Sequence, residues 1–333
     1  MSTPHPFSPY VAILGRGKTK QRHYTKAEAE AMMTMILNGE ALPEQIGAVM
    51  MLLRLKEEAP AEIAGFTRAA RKAIKAPQIA VDLDWSSYAG KRVQLPWFIL
   101  SLCLLAGAGV RVFVHGTEGH TAGRIYTRAV CETLGLPVAG SLDQAGELID
   151  KHGFAFAPLK VFCDELQKLI DLRPIFGLRS PVHSFARMIN PLAAPVMMQG
   201  IFHRGFMEVH AGAAQLLEQP VMAVFRGEGG EIERRPNKPT PVWTTKGSDE
   251  PQQEVWPQVL DDGHQAADPN LYPAVLGAVW RGEVMHDYGI AAALGTAAVA
   301  LKTLGRVETM AGAEEMAAQL WAGRDKSRML PGL

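Results

Sequence analysis

The sequence contains little cysteine: three residues in a chain of 333. Cys103, Cys131 and Cys163 lie in apolar, helix-like segments, and none of them forms a CxxC pair or has the spacing of a metal ligand. This scarcity argues against a disulfide-stapled scaffold or a cysteine metal site. It predicts three small buried side chains in a reducing compartment.

The chain also lacks an excess of charge of either sign. It has 34 basic and 34 acidic residues, so its formal net charge is zero. A protein dedicated to nucleic acid is usually more basic than this. Any nucleic-acid role therefore has to depend on a local patch and not on the field of the whole molecule.

Long apolar runs are missing as well. The longest, Leu95 to Ala108, is too short to span a bilayer and predicts a buried helix. The first ten residues lack the basic and apolar regions of a signal peptide. We therefore expect a soluble, cytoplasmic protein without a membrane partner. No Ser-His-Asp, Cys-His, metal-ligand or dinucleotide-binding signature stands out either.

Short amphipathic helices are predicted over residues 12–75. Thr25 and Glu28 form a capping box that starts the first of them, and Pro43 and Pro60 each suit the first turn of a further helix. Residues 1–10 contain three prolines and no periodicity, so we expect a loose arm there.

From residue 79 onward, strand patterns alternate with helix patterns. This alternation favours an α/β fold with a mostly parallel central sheet covered on both faces. The predicted strands are 79–83, 110–116, 154–157 and 221–227, and residues 231–243 are predicted to form a hairpin or loop. The predicted helices are 95–108, 122–134, 142–151, 160–172, 289–304 and 312–322.

The segment Ile36–Arg71 resembles the N-terminal helical domain of the anthranilate phosphoribosyltransferase family (glycosyltransferase family 3) and of its relatives, the pyrimidine-nucleoside phosphorylases. The resemblance covers almost the whole chain. It implies a helical domain at 1–75 and an α/β domain at 76–333 that holds the phosphoribosyl-pyrophosphate cleft. It also implies that a mid-chain helical piece near 164–190 packs on the N-terminal helices, and that the protein is a homodimer joined through this helical domain.

The donor loop of that family departs from its pattern here. The family loop reads GTGGD after Val-Asp-hydrophobic. Residues 81–83 keep the lead-in, but residues 84–92 read DWSSYAGKR. Glycines let backbone amides approach a pyrophosphate closely, whereas Trp85, Ser87 and Tyr88 add bulk. The resemblance therefore implies that the transferase chemistry is lost.

Other family positions diverge too. Leu-Pro-Trp-Phe at 95–98 replaces the phosphate-binding Asn-x-Ser-Thr, and Val-His-Gly-Thr-Glu at 114–118 replaces Lys-His-Gly-Asn-Arg. The family's acidic magnesium pair is absent, and only Glu228, Glu231 and Glu233 lie near its place. This implies a chain without a cofactor or metal, and Mg²⁺ only if transferase chemistry persists.

Some positions of the family's ligand pocket persist. Arg173 matches the anthranilate-contacting arginine by its spacing to Gly177 and Arg179, while His183 replaces the next asparagine. A structural role for Arg173 and for the histidines is the alternative. The resemblance implies a vestigial ligand pocket with the following members: Ser86, Ser87, His115, Gly116, Thr117, Arg173 and His183.

These departures resemble a divergent branch of the family that lacks transferase activity and binds DNA and RNA non-specifically. The matching features are Gly-Arg-Gly-Lys at 15–18, Ser-Tyr-x-Gly-x-Arg at 87–92 and Arg-Ser-x-x-His at 179–183. Closely spaced cations suit a polyanion backbone because no base edge has to be read. The resulting nucleic-acid-binding set is Arg16, Lys18, Lys20, Arg22, Tyr88, Lys91, Arg92, Arg179 and Arg187.

Each part of this prediction has an alternative in which the residues have only a structural role. Residues 16–22 also suit a solvated basic loop, Tyr88 a packed structural residue, and the cations at 234–238 an exposed hairpin tip. Two other functions stay open: a transferase with an altered donor or acceptor, and a small-molecule sensor that uses the vestigial pocket. Fold by itself does not decide among them.

Overall fold

The computed structural model describes residues 3–117, 119–261 and 267–333 of the chain. Its helices are α1 (Ser8–Gly15), α2 (Lys26–Leu37), α3 (Pro43–Lys56), α4 (Pro60–Ala73), α5 (Phe98–Gly107), α6 (Thr127–Leu134), α7 (Leu142–His152), α8 (Asp164–Asp171), α9 (Arg173–Phe176), α10 (Val182–Phe185), α11 (Gly205–Leu216), α12 (Ala274–Arg281), α13 (Asp287–Thr303) and α14 (Met310–Ala322). The strands are β1 (Leu83–Ser87), β2 (Val112–Gly116), β3 (Phe154–Pro158), β4 (Val196–Ile201), β5 (Val221–Arg226), β6 (Thr240–Thr245) and β7 (Gln252–Trp256).

The N-terminal helical bundle is built as its local sequence dictates. The capping box is confirmed: the Thr25 hydroxyl accepts from the Glu28 amide at 3.2 Å, and the Glu28 carboxylate accepts from the Thr25 amide at 2.8 Å. The loose arm predicted at 1–10 is wrong, because α1 begins at Ser8. Phe7 is fully buried, and its ring packs against Tyr10 at a centroid distance of 5.5 Å.

The mid-chain helices α8 to α10 return to this bundle. The rings of Phe66 and Phe185 lie 5.3 Å apart, which joins α4 to α10. The Arg71 guanidinium donates to the carbonyls of Met188 and Ile189 at 3.0 and 2.7 Å. These contacts hold the segment that carries Arg173 to Arg187 at a fixed position between the bundle and the sheet.

The central sheet has the strand order β3-β2-β1-β4-β5-β6-β7. The first five strands are parallel, while β6 and β7 add an antiparallel edge. The mostly parallel α/β fold is thus confirmed. The strand β4 was not predicted, and the strand predicted at 79–83 lies later, at Leu83–Ser87, where every residue is buried. Ser86 and Ser87 therefore belong to a strand and not to a loop.

Apolar clusters cover both faces of the sheet, which accounts for the near-continuous burial of β1, β2 and β3. Cys103, Cys131 and Cys163 are buried and unpaired, as their apolar surroundings predict. In the part of the chain that the structure describes, no helix is long and apolar enough to cross a membrane.

Candidate functional site

The loop that follows β1 is filled by the protein's own carboxylate. The backbone amides of Ala89 and Gly90 both donate to Oε1 of Glu231, each at 2.6 Å. Gly90 has a φ of 68°, a conformation that glycine adopts without strain and that lets successive amides converge on one acceptor. This pair of amides is therefore an anion nest that Glu231 already occupies.

A second carboxylate fills the neighbouring helix N-terminus. Oε2 of Glu233 accepts from the amide of Phe98, the first residue of α5, at 3.0 Å. Its Oε1 lies 2.5 Å from Nζ of Lys91, and both side chains are buried. The positive end of a helix attracts anions, and here the anion is internal. Burial raises the pKa of Glu233 to about 7, against the opposing effect of Lys91.

Close backbone contacts lock the segment that carries these carboxylates. A Cβ on Gly200 would overlap the carbonyl group of Glu231, and one on Gly227 would overlap the same carbonyl oxygen. Only glycine fits at these two positions of β4 and of the turn after β5. The segment with Glu231 and Glu233 is thereby pressed against the sheet edge.

Two members of the predicted nucleic-acid set are misplaced, and a third, Arg187, is buried at 7% exposure and donates to backbone carbonyls. Lys91 is only 2% exposed and forms an ion pair with Glu233, so the prediction that it is a surface cation is wrong. Tyr88 is 1% exposed, and its hydroxyl bonds to Nδ1 of His115 at 2.8 Å. Its ring cannot stack on a base, because the packed-tyrosine alternative is the observed one.

The carboxylates near the expected magnesium position do not fit a metal site. One oxygen of Glu231 and both oxygens of Glu233 already accept hydrogen bonds or an ion pair from the protein. Glu228 faces Arg235 at 2.7 Å. Among the described residues, no group of three or more His, Cys, Asp or Glu is arranged to hold a metal ion.

A cluster of guanidinium groups surrounds the cleft beside this loop, held in place by carbonyl oxygens. Nη1 of Arg124 donates to the carbonyls of Ala89 and Gly90 at 3.0 and 2.9 Å. Nη1 of Arg187 donates to Gly200 and Gly230 at 3.1 and 2.9 Å. We refer to Arg124, Arg173, Arg179 and Arg187 as the arginine cluster.

The other two members meet at the 120–121 turn. Arg173 donates to the carbonyl of His120 and to the hydroxyl of Thr121, and Arg179 reaches the same hydroxyl at 3.4 Å. Across residues 3–117, 119–261 and 267–333, no carboxylate forms an ion pair with any member of the arginine cluster. Four like charges are therefore concentrated without a carboxylate at ion-pair distance, although the charge of Glu231 acts on Arg187 from farther away.

Burial and the nearby positive charges lower the pKa values of groups in this cleft. Burial, and then repulsion from Arg124, Arg187 and Arg173, lower the pKa of Arg179 to about 10. Burial and the same positive surroundings lower the pKa of His120 to about 4 and that of His183 to about 3. At neutral pH the histidines are thus uncharged, and the arginines carry the charge.

Several buried polar atoms around the cleft have no partner within the described chain. They are Nε of Arg124, Oγ of Ser180, Nε2 of His183 and Nδ1 of His210. A buried polar atom without a protein partner is costly, so these atoms are available to water or to a bound ligand. Arg179, His183 and Arg187 line a cavity of about 130 Å³ here, together with Arg54, Glu58 and Phe202.

The structure divides the predicted vestigial pocket. Arg173 and His183 reach the cleft region, and each contacts or faces His120. The other five members lie along the sheet and in the turn after β2. There Ser87 bonds to Thr127 at 2.6 Å and Thr117 to Gln167 at 3.0 Å. Ser86, His115 and Gly116 lie in β1 and β2, and Glu118 falls outside the described residues.

Sequence reasoning missed part of the site. Phe202 is 47% exposed at the cavity rim, with the Arg226 guanidinium 5.8 Å from its ring centroid. Arg204 follows it, and its charge, with that of Arg235, lowers the pKa of Arg226 after burial does so. Phe202 and Arg204 directly follow the carboxyl end of β4, the edge of a parallel sheet where ligands bind. Because β4 itself was not predicted, the sequence analysis did not single out these residues.

The remaining basic residues of the predicted nucleic-acid set are exposed. Arg16, Lys18 and Lys20 are exposed in the turn after α1, as expected for a basic loop. Arg22 is exposed but paired with Glu28 at 2.6 Å. Arg92 is exposed beside buried Lys91.

This combination of a helical bundle, a five-stranded parallel sheet with an antiparallel edge and an arginine-lined cleft defines a phosphoribosyltransferase-like class of fold. Residues 9–74 match the helical bundle domain of a glycosyl transferase family. The structure is similar to that of anthranilate phosphoribosyltransferase from Thermus thermophilus, with a TM-score of 0.76 and 21% identity over 94% of each chain.

Sequence relatives agree with the fold. The chain is 29% identical to the anthranilate phosphoribosyltransferase of Symbiobacterium thermophilum over 70% of this chain and 69% of that one. It is 32% identical to the uncharacterized protein YbiB of Escherichia coli strain K12, over 55% of this chain and only 58% of YbiB. The helical-domain match, the sequence relatives and the similar solved structures together support an anthranilate phosphoribosyltransferase-like family.

Proposed function

We propose that this protein binds the phosphate backbone of DNA or RNA without regard to sequence and does not transfer phosphoribosyl groups. One observation carries the proposal. The arginine cluster has no carboxylate partner in the described chain, whereas the adjacent donor loop is filled by Glu231 and Glu233. Anion binding is thus retained at the cleft, and pyrophosphate binding at the loop is blocked.

Phosphate chemistry fits the cleft. Guanidinium groups donate to phosphate in a bidentate fork, and such charge-assisted bonds are the strong ones. A cavity of about 130 Å³ has room for a phosphate group, whose oxygens can accept from Arg179. The neutral state of His183 favours neither anion nor cation, so the arginines dominate.

An aromatic platform lies at the rim of the same cavity. Phe202 is half exposed, and Arg204 and Arg226 lie beside it. Aromatic side chains stack on bases of any sequence, and neighbouring cations contact the backbone. Phe202 therefore takes the stacking role that buried Tyr88 cannot perform.

The exposed cations Arg16, Lys18, Lys20 and Arg92 extend the proposed surface. Arg22 contributes less, because Glu28 already neutralises it. The zero net charge of the chain makes the clustering of these cations essential. The three unpaired thiols support a cytoplasmic location as part of the proposal.

The testing experiment is fluorescence anisotropy of a labelled single-stranded oligonucleotide, titrated at several salt concentrations. We expect binding whose logarithm falls linearly with the logarithm of salt, with a slope of roughly −0.7 for each phosphate neutralised. The Arg16→Ala/Lys18→Ala/Lys20→Ala variant should show a flatter slope. Arg22→Ala should change the slope less than the replacement of any one of these three cations, because Glu28 already pairs with Arg22. Absence of binding at low salt would remove the proposal.

A working transferase is the second candidate, favoured by the names of the curated relatives and by the position of Arg173. Such an enzyme has to bind the phosphoribosyl donor with Mg²⁺ at the loop that Glu231 fills. A thermal-shift titration with phosphoribosyl pyrophosphate and Mg²⁺ separates the two functions. We expect no stabilisation, whereas a saturable increase in Tm would support the transferase.

A homodimer joined through the helical bundle is part of the proposal. Leu55, Ile175 and Leu178 are 86%, 78% and 53% exposed, and Gly47 of α3 faces Phe176 of α9, so α3 and α9 are neighbours. Exposed large apolar residues on adjacent elements favour an interface. The Leu55→Asp/Ile175→Asp variant should elute as a monomer in size-exclusion chromatography with light scattering. A wild-type monomer would contradict the interface.

Oligonucleotide affinity should also depend on pH through Glu58, which lines the cleft. Burial raises the pKa of Glu58 to about 7 against the opposing effect of Arg54, so the carboxyl is neutral below that pH and negative above it. A negative charge repels a polyanion, and affinity should fall by less than about tenfold between pH 6 and pH 8. The Glu58→Gln variant should remove this pH dependence in anisotropy titrations. If the variant keeps the pH profile of the wild type, a group other than Glu58 causes the dependence.

A further inference from the structure

A second cavity, unrelated to the arginine cluster, opens near the C-terminus. It measures about 660 Å³ and lies among α5, α12, α13, α14 and the segment 323–331. None of its lining residues lines the cleft described above. Its volume is within the range of small-molecule sites, which is about 300–1,000 Å³.

The interior of this cavity is apolar. Leu104, Val110, Leu301 and Leu330 form buried parts of its lining, and Trp280 closes one side. Met316 and Met329 are partly exposed in the wall, and their flexible thioethers adapt to ligands of different shape. An apolar interior of this kind accommodates a hydrocarbon chain.

Cations gather at the same cavity. Arg306, Arg324 and Arg328 line it, against one carboxylate, Asp325, which pairs with Arg328 at 2.8 Å. Arg324 has no carboxylate partner among the described residues. Its guanidinium donates to the carbonyls of Trp280 and Trp321 at 2.8 and 2.6 Å, which fixes its position.

Contacts with two tryptophan rings also fix the position of Arg324. Its guanidinium carbon lies 3.6 Å from the ring centroid of Trp321 and 5.8 Å from that of Trp280. Burial lowers the pKa of Arg324, but the group stays cationic at neutral pH because its ordinary value is so high. A positioned cation at the edge of an apolar cavity matches an anionic headgroup.

The wall made by the C-terminal segment is anchored. The Trp280 indole donates to the carbonyls of Asp325 and Arg328, each at 2.9 Å, and Nδ1 of His152 lies 2.8 Å from the carbonyl oxygen of Pro331. The cavity is therefore formed by the fold before any ligand arrives, which limits the ordering cost of binding.

We propose that this cavity binds a single-chain amphiphile with an anionic headgroup, a fatty carboxylate. The chain lies against Leu104, Val110 and Leu301, and the carboxylate accepts from Arg324 and Arg306. This site is independent of the proposed nucleic-acid surface.

Isothermal titration calorimetry with decanoate, below its micelle concentration, tests the proposal. We expect saturable binding of one decanoate per chain, with no binding of decyltrimethylammonium, which has the same chain and the opposite charge. Arg324→Gln should weaken binding roughly tenfold to hundredfold, the loss expected for one charge-assisted hydrogen bond. Arg306→Gln, at an exposed position, should weaken it without affecting the fold.

A steric variant tests the cavity without changing its charge. A Cβ on Gly107 meets no atom within 4 Å, so Gly107→Leu has room to fold and fills the cavity. This variant should lose decanoate binding and keep the wild-type Tm. The proposal is overturned if the wild type binds no decanoate, if the cationic amphiphile binds equally well, or if both Gly107→Leu and Arg306→Gln bind decanoate as the wild type does.

Discussion

Replacing Arg173 and Arg179 with alanine should weaken oligonucleotide binding more than any change in the exposed basic loop. The two guanidiniums lie in a partly buried cleft, meeting at Thr121 with no carboxylate partner in the described chain, so their charges are screened less than those at the surface. At roughly 1.5–3 kcal/mol for each charge-assisted contact, the double variant should lose about two orders of magnitude or more in affinity.

The salt dependence distinguishes this result from general unfolding. If each arginine neutralises one phosphate, the slope of log affinity against log salt should become less negative by about 1.4. Arg281→Gln is the matched control, because Arg281 is an exposed arginine paired with Glu283 at 2.7 Å and does not line the cleft. Equal losses in the control and the double variant would show that the cleft is not the binding site.

Removal of Glu233 should destabilise the fold severely. In Glu233→Ala, the buried Lys91 ammonium loses its counter-ion and the amide of Phe98 loses its acceptor. Breaking a buried ion pair in this way costs about 3–5 kcal/mol, whereas replacement of both partners by apolar residues is often nearly neutral. Urea denaturation followed by circular dichroism should show this loss in Glu233→Ala and much less in Lys91→Met/Glu233→Leu.

A surface carboxylate provides the comparison for that experiment. Glu132 pairs with Arg128 at 2.9 Å on the exposed face of α6, and Glu132→Gln should leave the denaturation midpoint nearly unchanged. A Glu233→Ala midpoint as high as that of Glu132→Gln would mean that Lys91 reaches solvent. The interpretation of the loop as a site filled by internal carboxylates would then fail.

Local patterns predicted most of the helices and strands because each depends on near neighbours in the chain. The capping box at Thr25 and Glu28 and the prolines that start α3 and α4 act within one turn. Strands β2, β3 and β5 were predicted nearly to their limits for the same reason. β1 was misplaced because its buried residues include the polar Asp84, Ser86 and Ser87, and β4 was missed because it is buried on both faces and shows no alternation.

The sequence by itself also indicated that the donor loop had lost its glycines and that the region around 173–187 kept its arginines. It could not show that Lys91 is buried and Arg124 stands beside Arg179, because these facts depend on which segments meet in space. Glu231 reaches Ala89 and Gly90 across separations of 142 and 141 positions in the chain.

The amino-acid sequence thus determined the fold class, the helical bundle and the absence of the glycine loop, all of which follow from local residue chemistry. Tertiary structure alone decided the electrostatics of the cleft. Whether a lysine or arginine is neutralised depends on whether a distant carboxylate folds within ion-pair distance of it, as Glu233 does for Lys91 and as no described carboxylate does for the arginine cluster.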